Sequence, residues 1–302
     1  MTTRGTAPAM AAACGAGFLW GTGALVVNLL IARFGLSPEN VSFWRFVVGA
    51  ALLLAVFGRP GLWRAMRPHL GLLAAAGACM ALYVSFWFLG IARIGAAVPT
   101  LIALCLPPVL VTLLAVARGR ERLDAPLVLA LAAALGGTAM VVARHEGAGE
   151  VSTATLAAGV GFSVASALLY AGFTLVTGRL STTLGPGQAT TGLTVVAAAV
   201  MGLSALYTPL AWPNELPPEA WLLYLGLVTA AIALLCFNWG AQRLSPTALT
   251  VATLVEPLTA VLLAALLLGQ DLSAAQWLGA GLMIASIGAL GRRDARRAAG
   301  GA

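Results

Sequence analysis

The sequence predicts an all-α integral membrane protein of ten transmembrane helices, built as two inverted five-helix repeats. Three observations predict it. The 302-residue chain is 60% hydrophobic and 9% charged, with a mean hydropathy of +0.95, far too apolar for a soluble domain. Its apolar residues fall into ten runs long enough to cross a bilayer. Features of the first half return in the second at a constant offset of 150 residues.

The runs follow one another with short connections. They cover Ala9–Ile31, Val41–Phe57, Leu70–Ile91, Ala96–Ala117 and Ala125–Val142. The second five cover Leu156–Arg179, Gln188–Leu210, Ala220–Ala241, Thr247–Leu268 and Ala275–Leu290. Turn signals separate them: Gly35-Leu36-Ser37-Pro38, Gly185-Pro186-Gly187, Pro217-Pro218 and Ser245-Pro246. The first run is too long and unbroken for the core of a cleaved signal, so it is expected to be the first membrane helix. The repeats are expected at residues 1–144 and 152–294.

Orientation follows from arginine. The net charge is +7 and the pI about 10.1, and all basic residues are arginines set between apolar runs. Thirteen fall on one side of the ten-span topology and three (Arg33, Arg93, Arg144) on the other, with Arg45 inside the second run. That bias predicts both termini in the cytoplasm of a multi-pass inner or plasma membrane protein. It also argues against nucleic acid as the partner of the positive charge.

At the offset of 150, Trp20 meets Tyr170, Gly90 meets Gly240, Arg93 meets Arg243 and Pro107 meets Pro257, while Gly119-Arg120-Glu121 meets Gly269-Gln270-Asp271. Five spans per repeat force the second copy to enter the membrane upside down. Inverted repeats are the architecture of alternating-access transporters, with the site near mid-membrane between the halves.

The stretch TLVEPLTAVLLAALLLG, Thr253 to Gly269, carries the most chemistry. Glu256 lies about 13–14 Å along its helix at 1.5 Å per residue, near the midplane. A charge there costs about 2.5–3.5 kcal/mol on insertion scales, so it must be satisfied internally. Glu256 is either a proton-titrating or cation-anchoring group or a structural carboxylate. Pro257 lacks an N–H and leaves the Thr253 carbonyl without its usual partner. Pro107 answers it in the other half, and both prolines are expected to break or hinge their helices. Arg45 either snorkels to the interface or faces Glu256 or a substrate carboxylate. Tyr83, Phe86, Trp87 and Gly90 share one helical face, as packing or as the wall of a cavity. Trp20, Tyr170, Asn238 and Thr253 complete the candidate substrate-binding set, with interhelical hydrogen bonding as the alternative for the last two. The pairs Gly17/Gly21, Ala132/Gly136 and Gly281/Ala285 are expected to serve close helix packing within a monomer rather than dimerisation.

Several motifs together resemble the EamA family of the drug/metabolite transporter superfamily over nearly the whole chain. They are WGTG at Trp20 to Gly23, Arg45 in FWRFVVGA, and LPPVLVTLLAVARGRERL at Leu106 to Leu123. VEPLTAVLLAALLLGQDLSAAQWLGAGLMIASIGAL at Val255 to Leu290 repeats the last in the second half. Two departures stand out: Asp271 where the second half of the family usually has Glu, and no basic residue after WGTG. The resemblance implies ten helices, inward termini and export of amino acids or small metabolites. A small molecule, and protons as a candidate coupling ion, would be the partners beside the bilayer. Facilitated diffusion or exchange is the alternative mode.

No cofactor is expected. Cys14, Cys79, Cys105 and Cys236 sit singly in apolar runs, and His69 and His145 are far apart, so no metal set assembles. Neither an HExxH helix nor a nucleophile with its base is present, which weighs against an intramembrane enzyme.

Overall fold

The structure, a computed structural model, describes residues 5–95, 97–142, 152–268 and 271–300. Arg4, Ala96, Arg144, His145, Gly269 and Gln270 lie outside them. Among the described residues, ten helices are long and apolar enough to cross a membrane. They are α1 (Thr6–Phe34), α2 (Pro38–Phe57), α3 (Leu62–Ile94), α4 (Val98–Ala117) and α5 (Ala125–Val142). The second half holds α6 (Thr153–Leu184), α7 (Pro186–Leu206), α8 (Pro218–Ala241), α9 (Pro246–Leu267) and α10 (Ala274–Arg296). The ten expected runs are all present. α3 and α6 are longer at both ends than hydropathy indicated.

The turn signals do what their chemistry allows. Gly35 closes α1 in the left-handed region at φ 66°, a conformation with no Cβ penalty for glycine. Ser37 then caps α2 by accepting the Asn40 N–H at 3.1 Å, with Pro38 in the first turn. Ser245 and Pro246 repeat that start for α9. Ser273 and Gln276 form a reciprocal capping box ahead of α10.

The repeats interlock by exchange. A Cβ on Gly90 of α3 would meet Ser163 Oγ at 2.8 Å and Gly159 O at 3.3 Å on α6. On Gly240 of α8 it would meet Ala9 O at 3.2 Å and the Ala13 Cβ at 3.4 Å on α1. Positions 9 and 13 are 150 residues before 159 and 163, so the two contacts are one contact seen twice. Arg93 and Arg243 match as well. Each donates to the carbonyl four residues before it, Leu89 and Trp239, at 3.0 Å, and each lies over an aromatic ring, Phe162 and Trp239.

The last helices of the two repeats, α5 and α10, pack on each other at the flank. Gly137 and Gly279 let them approach; a Cβ on either would come within 2.6 Å of the other's carbonyl oxygen. This corrects the expected register. A Cβ on Gly136 or Gly281 would meet nothing within 4 Å, because the packed face runs one residue on in α5 and two residues back in α10. Gly17 and Gly21 of α1 are packing glycines as expected, and what they pack on is α9.

Asn238, fully buried on α8, ties three helices together. Its Oδ1 accepts from Thr177 and from Ser181 at 3.1 Å, both on α6, and its Nδ2 donates to Thr190 Oγ1 on α7 at 2.9 Å. Such bonds contribute about 0.6 kcal/mol on average in membranes, with a maximum of about 1.7. Asn238→Leu should therefore lower thermal stability in detergent measurably without unfolding the protein.

Candidate functional site

The discontinuity that Pro257 predicted is present, and it lies just before the proline. α9 runs helically from Pro246 to Ala252, turns at Thr253–Leu254, and resumes from Val255. The Thr253 carbonyl is not orphaned: the Glu256 N–H takes it at 3.0 Å, three residues on. The Thr253 hydroxyl donates to the Thr250 carbonyl at 2.8 Å, a side-chain bond that competes with helical hydrogen bonding. Glu256 thus stands in the first turn of the second arm, where the helix dipole favours a negative charge.

Pro107 does not break its helix. α4 is continuous through Pro107 and Pro108, which corrects the expected symmetry. The position equivalent to Thr253 is Ala103, which has no hydroxyl to compete for a carbonyl. Pro108 O instead accepts the Thr112 hydroxyl at 2.6 Å. Because that bond uses the one Thr112 proton, Thr247 is the donor in the 2.9 Å Thr112–Thr247 contact. This contact joins α4 to the first arm of α9, and both residues are buried.

Glu256 faces the interior of the bundle. Its electrostatic neighbours are Arg45 on α2, Tyr83 on α3 and Tyr170 on α6. Arg45 therefore does not reach for the interface. Its guanidinium carbon lies 4.7 Å from the centre of the Phe46 ring, and its Nε is buried with no hydrogen-bond partner. Among the described residues, ion pairs within 4.0 Å involve only Arg293. Arg45 and Glu256 are thus near each other without being paired. Both remain partly accessible to water, as does Tyr83.

An aromatic wall adjoins the two charges. Tyr83 and Tyr170 are 5.2 Å apart, and Tyr170 and Trp20 both pack on Phe237, at 6.5 and 5.5 Å. Phe173 stacks on Phe237 at 5.5 Å and 13°. Since the Thr253 proton is committed to Thr250, the Tyr170 hydroxyl donates to Thr253 Oγ1 at 3.1 Å. That bond anchors the wall at the α9 break. Trp20 and Tyr170, equivalent by sequence offset, are brought to the same phenylalanine from opposite repeats.

The other candidates have partners of their own. Trp87 donates its indole N–H to Thr100 on α4 at 3.2 Å, and Phe86 packs on Phe162 of α6 at 5.8 Å. Asn238 is in the interhelical knot described above. Sequence reasoning missed Phe237 and Phe173, which stand among many apolar residues with nothing to mark them. It also missed a π-helical segment in α8, Leu225 to Ile232. There the Thr229 carbonyl accepts the Trp20 indole N–H at 3.0 Å, so the wide turn fixes one side of the wall. Such segments recur at functional sites.

Comparison with known proteins agrees with this architecture. The EamA-like transporter family matches residues 7–143 and 157–291, once per repeat. The uncharacterized transporter YwfM of Bacillus subtilis (strain 168) is 29% identical over 285 residues, which is 89% of this chain and 88% of that one. A solved crystal structure at 20% identity shares the fold, with a TM-score of 0.78 over 93% of this chain and 96% of its own. Matched twice along its length and holding, among the described residues, ten helices apolar enough to cross a membrane, the chain belongs to the EamA-like transporter family and is a multi-pass membrane protein.

Proposed function

We propose that this transporter moves small zwitterionic metabolites, amino acids among them, by alternating access of its two halves. Export is the direction that the family resemblance implies. The observation that carries the reading is the half-buried pair of opposite charges inside the bundle, Arg45 and Glu256, held near each other but not in contact. A guanidinium with an unused buried N–H suits a carboxylate, and a carboxylate at a helix break suits an ammonium group. A molecule bearing both would satisfy the two charges at once, which neither a simple amine nor a simple acid can do. The rings of Trp20, Tyr83, Tyr170 and Phe237 suit an apolar body attached to it.

The break at Thr253–Leu254 offers α9 a place to bend, and the Thr112–Thr247 contact holds the first arm of α9 against α4. Together they supply one rigid and one movable element for a gate. The arginine bias supports placing both termini in the cytoplasm of the cell membrane.

Counterflow in proteoliposomes tests this. A panel of zwitterions, matched primary amines and matched carboxylates should show exchange with the zwitterions and weak competition from the singly charged analogues. Equal flux of all three classes, or none of any, would remove the proposal.

A further inference from the structure

The surface of the bundle carries a pocket that the transport reading does not use. It has a volume of about 150 Å³ and lies where α4, α6 and α9 meet, away from Glu256. Leu114 and Ala115 of α4, Leu175 of α6 and Pro246 of α9 give it an apolar floor. Arg118, Arg120, Glu121 and Ser245 form its rim.

The charged residues of the rim itself, Arg118, Arg120 and Glu121, sum to one positive charge, and the carboxylates around it have partners. Glu121 and Asp124 are taken by Arg293, at 3.5 and 2.9 Å. Asp294 accepts from the Ser245 N–H at 2.9 Å and from its hydroxyl at 3.2 Å. Arg118 and Arg120 are exposed, and no ion pair within 4.0 Å involves either among the described residues. Both follow directly on the apolar span of α4, which ends at Ala117, so they stand at the depth of lipid headgroups. Leu113, in the last turns of that span, is 55% exposed on a membrane helix, a surface suited to acyl chains.

We propose that this pocket binds an anionic phospholipid, its phosphate held by Arg118 and Arg120 and its glycerol and upper acyl chain laid on Leu114, Leu175 and Pro246. Two arginines beside an apolar floor match an amphiphile with a negative head. Free phosphate shares the charge but has no use for the floor. Basic pockets between transmembrane helices select lipid headgroups in this way. The site touches the start of α9 at Ser245–Pro246 and the end of α4, the two helices joined by Thr112 and Thr247. A bound lipid would therefore brace that junction.

The test uses the full-length protein in detergent, with short-chain phosphatidylglycerol, phosphatidylcholine or inorganic phosphate as probes. Phosphatidylglycerol should raise Tm by several degrees through mass action, and phosphatidylcholine should need about 25-fold more for the same effect, about 5-fold per arginine. R118Q/R120Q should lose that preference while keeping its lipid-free Tm, since both side chains are exposed. R118K/R120K, with charge retained, should keep most of it. Equal effects of the two lipids, or a preference that survives R118Q/R120Q, would overturn the site. Inorganic phosphate matching phosphatidylglycerol at equal concentration would overturn the lipid as its occupant. None of these readouts depends on the transported substrate.

Discussion

Glu256→Gln should reduce zwitterion affinity about 30-fold or more. Removing one member of a buried charged contact costs about 2–5 kcal/mol, and about 1.4 kcal/mol is a factor of ten. Part of that loss is the Arg45 charge left uncompensated in the interior, which also threatens the fold. The double variant R45Q/E256Q separates the two effects. It restores neutrality, so its Tm should recover towards the wild-type value while zwitterion affinity does not. If Glu256 also carries a coupling proton, E256Q removes any pH dependence from the residual flux. Wild-type counterflow by E256Q with the same pH profile would end the central role assigned to this residue.

Gly21→Val should be the most damaging single change in α1. A Cβ there would stand 2.5 Å from the Glu256 carbonyl oxygen and 2.6 Å from the Thr259 Cβ. At Gly17 it would stand 2.8 Å from the Thr253 carbonyl oxygen. These obstacles are mostly backbone of α9, which cannot swing aside as a side-chain tip can. Overpacking of a rigid contact costs about 1–3 kcal/mol, sometimes more, and here it displaces the turn that positions Glu256. We expect a Tm several degrees lower and flux below detection. Gly281→Ala is the matched control, since its Cβ meets nothing within 4 Å; it should leave both measurements unchanged. A stable, active G21V protein would mean that the α1–α9 contact does not define the site.

Much of the site was legible from charge and covalent geometry. A lone glutamate in a long apolar run has few affordable positions in a bilayer, so its inward direction followed from the energetic cost of any other. Pro257 marked a disturbed backbone because a missing N–H is a local property. The same argument failed for Pro107. A missing N–H weakens a helix, but whether it breaks depends on what competes for the carbonyls nearby: Thr253 turns its hydroxyl to the Thr250 carbonyl, and Ala103 has no hydroxyl to offer. The small-residue pairs failed in a different way. Glycine and alanine are so common here, with 35 glycines in the chain, that spacing alone could not choose Gly137 over Gly136 or Gly279 over Gly281.

The sequence by itself determined the ten spans, the duplication and the need to shelter Glu256. Each follows from the cost of exposing polar groups to hydrocarbon, which acts on a segment wherever its neighbours lie. Only the tertiary structure decided that Arg45 faces Glu256 unpaired, that Trp20 and Tyr170 converge on Phe237, and that α8 widens into a π-helical turn to receive the Trp20 indole. Those are outcomes of how helices cross and rotate against one another. Rotation within lipid changes little in hydrophobic energy, so the close fit of particular side chains sets it.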